Sequence, residues 1–73
     1  MPVFSPHGLG QMAFRQITRA EVEAVLADPA ITFPGNKPGR TVYVGYVGGK
    51  RLAVVMAGNV VITAYDQAEE DAS

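Results

Sequence analysis

Cysteine is absent from the 73 residues, and histidine occurs once, at His7. The first absence excludes a disulfide-stapled fold and any thiolate metal site. The second leaves no zinc cage that this chain alone could build. No apolar run approaches the ~18 residues of a membrane-spanning helix. The opening Met1-Pro2-Val3-Phe4 does not have the form of a signal peptide. A soluble, cytoplasmic protein with no cofactor and no membrane partner is the expectation. At this length the chain is one small domain, and ten of its apolar residues are alanines, so the core is expected to be thin.

What is present is unevenly placed. The formal net charge is −1, yet residues 31–65 carry Lys37, Arg40, Lys50 and Arg51 with no acid. Residues 66–73 carry Asp66, Glu69, Glu70 and Asp71 with no base. Local sign governs partners more than the total does. The division predicts a folded domain over residues 1–65 and a disordered acidic tail over 66–73, with a basic segment that the tail is able to compete for.

Helices come first. Thr18-Arg19-Ala20-Glu21 is a capping box, with Ile17 and Val22 placed as a hydrophobic staple. Val22, Val25 and Leu26 follow at helical spacing, and Asp28-Pro29 ends the run, predicting a helix over 18–28. Ser5-Pro6 suits a cap and a first-turn proline, and Leu9, Met12 and Ala13 form the stripe of an earlier helix. Gly8 and Gly10 each weaken that helix by about 1 kcal/mol relative to alanine.

Strands follow. Residues 34–40 read as a loop on their Pro, Gly and Asn content, without the spacing of a Walker phosphate loop. Thr41–Val47, Arg51–Met56 and Val60–Tyr65 are rich in β-branched and aromatic residues, with a short extra strand at Ile31–Phe33. A two-residue turn at Gly48-Gly49 places Tyr46 opposite Arg51 and Tyr43 opposite Val54. A three-residue loop at Ala57-Gly58-Asn59, with Asn59 left-handed, pairs Ile62 with Val54. One face then holds Tyr43, Leu52, Val54, Met56, Val60, Ile62 and Ala64, ready to receive the helices. The other holds Val42, Val44, Tyr46, Arg51, Ala53, Val55, Val61, Thr63 and Tyr65. That second face has more valine than a solvated surface, which points to a partner, self-association or a covering element. The predicted fold is α+β: two N-terminal helices on one face of a three- to four-stranded antiparallel meander.

The segment His7-Gly8-Leu9-Gly10-Gln11-Met12-Ala13-Phe14-Arg15-Gln16-Ile17-Thr18, followed by Glu21–Leu26 and Asp28-Pro29, resembles the start of a bacterial family, domain of unknown function 4258. Gly39-Arg40-Thr41-Val42-Tyr43-Val44, Gly49-Lys50-Arg51-Leu52 and Val61-Ile62-Thr63-Ala64-Tyr65 continue the resemblance over about residues 5–66. It implies a RelE/ParE-type toxin fold and a metal-independent ribonuclease or toxin-like module. The chain departs from the family pattern at Gln11, often arginine there, and at Ala53, often basic.

The chemistry that such cleavage needs is a proton acceptor, a proton donor and cations for the phosphoryl charge. His7, Gln11 and Arg15 recur at i, i+4, i+8 on one helical stripe. The candidate catalytic residues are His7, Thr63 and Tyr65. The candidate RNA- or phosphate-binding residues are Arg15, Arg40, Lys50 and Arg51, with Tyr46 stacking on bases. Two readings stand. One is a small toxin-like RNase with RNA and an antitoxin as partners. The other is a non-catalytic module that binds a small protein, or a second copy of itself, through the valine-rich face or a strand edge.

Overall fold

A computed structural model describes residues 3–67. Its elements are β1 (Val3–Phe4), α1 (Pro6–Phe14), α2 (Arg19–Ala27), β2 (Ile31–Pro34), β3 (Arg40–Val47), β4 (Lys50–Ala57) and β5 (Val60–Asp66). The acidic residues Glu69, Glu70 and Asp71 lie outside the described residues, whereas Asp66 ends β5.

Both helices start and stop where local chemistry directs. Ser5 Oγ accepts the Gly8 N–H at 2.9 Å, and Pro6 takes the first turn of α1. The helix ends in a Schellman motif: Ile17 N–H donates to the Met12 carbonyl at 2.8 Å and Gln16 N–H to that of Ala13 at 3.3 Å. Gln16 takes the left-handed conformation, φ 58°, that this ending requires. The capping box of α2 is complete. Thr18 N–H donates to Glu21 Oε1 at 2.9 Å, and Glu21 N–H donates to Thr18 Oγ1 at 3.1 Å.

The sheet order is β1-β5-β4-β3-β2. Four strands form the expected antiparallel meander, and Tyr43↔Val54 and Tyr46↔Arg51 pair as the Gly48-Gly49 turn predicts. The fifth strand is a correction to the predicted count. Val3–Phe4 adds parallel to β5, pairing with Val60 and Val61, so the sheet is mixed. Two residues carry no periodicity from which a strand could be read.

The second turn is also corrected. Ala57 pairs with Val60 across a two-residue turn whose positive φ, 59°, belongs to Gly58 and not Asn59. Val54 lies opposite Ala64, not Ile62, because a bulge at Ile62 inserts one extra residue between the Met56↔Val61 and Val55↔Thr63 pairs. Thr63 and Tyr65 thereby keep the face expected of them. Val61 takes the core place expected of Val60 and Ile62, and leaves the opposite face to which it was assigned.

Both helices pack on one side of the sheet. Met12, Ile17, Val22 and Val25 meet Phe4, Leu52, Val54, Met56, Val61 and Ala64 in one buried cluster. Two glycines permit the close approach. A Cβ on Gly8 would sit 2.7 Å from the Val61 carbonyl oxygen, so α1 begins directly against the β5 backbone. A Cβ on Gly45 would sit 3.3 Å from a Val25 methyl under α2. Arg19 stacks on the Phe4 ring, 4.6 Å from its centre, and joins α2 to β1.

Candidate functional site

The pairing registers set out the sheet face opposite α1 and α2 in rows. Ile31, Val44, Ala53 and Tyr65 lie across the sheet in one row, and Phe33, Val42, Val55 and Thr63 in the next. Val42, Val44 and Ala53 are buried on the side away from α1 and α2, packed with Val55 and Tyr65 into a second small cluster. Two of these valines form the floor of a cavity.

A cavity of about 320 Å³ opens over this floor. Val42 and Val55 form its base, Phe33 and Tyr65 stand on opposite sides, and Lys37 and Arg40 contribute the cations. The loop between β2 and β3 aims those cations. Gly35 N–H donates to the Arg40 carbonyl at 2.8 Å, and Arg40 N–H to that of Lys37 at 3.2 Å. Gly35 is required here, because a Cβ would come within 2.7 Å of the Arg40 Cβ. Among the described residues the cavity lining has no carboxylate. An anion is the ligand this electrostatics favours, and the aromatic and aliphatic walls suit a group with an apolar face.

The predicted site residues divide between the two sides of the sheet. Arg40 and Tyr65 meet in the cavity, and Thr63 lies in the row beside it. Tyr46 and Arg51 pair on the same face, further along β3 and β4. Lys50 is on the helix side, where its Nζ lies 3.3 Å from Glu21 Oε2. The Glu21 carboxyl is held below its ordinary range, chiefly by the Thr18 backbone N–H and further by Lys50, against an opposing effect of burial. Arg15 sits at the α1 C-terminus and bridges to the edge of β5. Its Nη1 donates to the Ala64 carbonyl at 3.2 Å and to Thr63 Oγ1 at 3.5 Å. His7 is exposed in the first turn of α1 and is not among the residues lining the cavity.

Sequence reasoning missed two cavity residues, Lys37 and Phe33. The signal for Lys37 was its place between Gly35 and Gly39 in a loop leading into Arg40. For Phe33 it was the alternation that sets it on the face of Val42.

The model of a family described as a domain of unknown function, DUF4258, matches residues 4–66. Neither a curated protein nor a solved structure matches the chain.

Proposed function

The chain belongs to the DUF4258 family, and from that premise we propose that it is a toxin-like RNA-binding domain that holds a phosphodiester in the cavity of the sheet face opposite α1 and α2. The single observation that carries this reading is the convergence of Lys37, Arg40 and Tyr65 over an apolar floor, with no carboxylate among the described lining residues. Two cations supply the phosphate attraction, and two aromatic walls suit an unpaired base. The packing of α1 and α2 on one face of an antiparallel meander supports a RelE/ParE-like frame. Metal-independent cleavage belongs to the same reading. Lys37 and Arg40 are placed for phosphoryl charge, and Tyr65 brings a hydroxyl proton donor to the same cavity. His7 stands outside the cavity and has no part in this assignment.

The reading as a protein-binding module draws on Ile31 and Phe33, 58% and 40% exposed on the edge strand β2. That edge is guarded, because Pro34 withholds an N–H from any added strand. RNA is therefore the preferred occupant. The test is fluorescence anisotropy with a labelled single-stranded RNA, alongside gel analysis of the same RNA in EDTA. Wild-type binding, weakened at least tenfold by Lys37→Ala with Arg40→Ala, supports the reading; no wild-type binding at low salt ends it. Cleavage in EDTA that Tyr65→Phe abolishes and His7→Ala leaves intact supports the nuclease part. In induced bacteria, the toxin-like part expects growth arrest that the double variant relieves.

A further inference from the structure

Beyond the cavity, the described residues of the face opposite α1 and α2 add an aromatic residue and a cation. Tyr46 is 71% exposed, although it belongs to the same strand as the buried Val42 and Val44. Arg51 stands directly opposite it on β4. Along β3, Arg40, Val42, Val44 and Tyr46 alternate onto this face. Same-face neighbours on a strand are about 6.8 Å apart, so Arg40 and Tyr46 are separated by roughly 20 Å. That distance matches several steps of an extended single strand, whose phosphates repeat at a spacing close to that of alternate strand residues.

The charges along this line have one sign. Arg40 and Arg51 mark its two ends, Lys37 flanks the first, and no strand position described on this face is acidic. The acidic Asp66 pairs with Leu52 and so belongs to the helix side. An exposed aromatic ring beside a cation, in line with a cationic cavity, is the arrangement by which sheets hold unpaired nucleic acid.

We infer that the RNA site continues from the cavity along β3 to Tyr46, and that its ligand is an unpaired strand spanning about three nucleotide steps between a phosphate at Arg40 and a base on Tyr46. The inference rests on the proposed RNA binding and adds length and strandedness to it. A duplex cannot satisfy it, because stacked and paired bases are not free to lie on the Tyr46 ring.

Anisotropy titrations with labelled RNA dinucleotide, hexanucleotide and a twelve-base-pair duplex test this. The hexanucleotide binds more tightly than the dinucleotide, and the duplex binds more weakly than the hexanucleotide at equal salt. Tyr46→Ala weakens hexanucleotide binding by roughly 5- to 100-fold and leaves the dinucleotide unchanged. Tyr46→Phe, which keeps the ring, retains wild-type affinity. Circular dichroism confirms that both variants fold, as the exposure of Tyr46 leads one to expect. Equal affinity for the two single-stranded lengths, equal affinity for duplex, or indifference of the hexanucleotide to Tyr46→Ala overturns the extended site while cavity binding stands. Failure of every RNA to bind wild-type protein removes the cavity reading and the extension together.

Discussion

Lys50 Nζ and Glu21 Oε2 lie 3.3 Å apart although 29 positions separate them in the chain. Through this pair the β3–β4 turn is tied to the first turn of α2. A carboxylate there serves three groups at once: the Thr18 amide, the Thr18 hydroxyl and the Lys50 ammonium.

Acid should release that anchor. The folded-state pKa of Glu21 lies below its ordinary value of 4.5, so the folded protein takes up this proton less readily than the unfolded chain. The stabilisation is complete above about pH 4.5 and is lost as the pH falls through the lowered folded value. Urea denaturation at pH 6 and pH 3 checks it: Glu21→Gln loses less stability between the two than wild type. Lys50→Met costs only about 0.2–1 kcal/mol at pH 6, as expected of a partly exposed pair. Equal acid sensitivity of wild type and Glu21→Gln counts against the assignment.

Gln16 offers a gain. It holds a left-handed conformation that costs a side-chain-bearing residue about 1–2 kcal/mol. Gln16→Gly removes that strain but adds freedom to the unfolded chain, so a net stabilisation of about 0.5–1 kcal/mol is expected. Thermal unfolding followed by circular dichroism would show a higher midpoint, and a lower one would contradict the Schellman ending.

Two glycines in one helix should respond in opposite directions. Gly8→Ala drives a methyl against the carbonyl oxygens of Val61 and Ile62 and costs about 1–3 kcal/mol. Gly10 has open space around it, and Gly10→Ala gains up to about 1 kcal/mol from helix propensity. Chemical denaturation of both variants separates the effects. The same sign for both would mean that α1 does not seat on β5 through Gly8.

Salt should distinguish the basic residues from one another. The affinity for single-stranded RNA falls with salt at a slope of about −0.7 per phosphate neutralised. Lys37→Ala and Arg40→Ala each make the slope shallower by about that amount, whereas Lys50→Met leaves it unchanged. Binding measured across salt concentrations gives the slopes directly. A shallower slope for the Lys50 variant would put the interface on the helix side.

The sequence made some of this legible because the deciding physics is local. The capping box at Thr18, the cap at Ser5 and the Gly48-Gly49 turn each depend on a few adjacent residues, and each forms as read. The parallel strand Val3–Phe4 escaped because its partner lies 57 residues away and its own length sustains no pattern. Lys50 read as one more base of the hairpin because nothing in the sequence brings Glu21 to it. The +4 segment was visible as a run of charge, but which of its bases share a face depends on strand parity. Parity sends Lys50 to the helices and leaves Arg40 and Arg51 on the open side.

The extra residue at Ile62 has a consequence beyond pairing. Upstream of it, odd-numbered Val61 is the core residue; downstream, even-numbered Ala64 is, and Tyr65 is turned towards the cavity. One strand thus obeys two opposite reading frames, joined by a single-residue phase change. Deleting Ile62 would leave one frame throughout, with Ala64 still opposite Val54 and Tyr65 still opposite Ala53, whereas pairing Ile62 into the ladder without the bulge would set Tyr65 among the helices. The first half of β5 is thereby free to vary with the demands of packing, and the second half with those of whatever the open face receives.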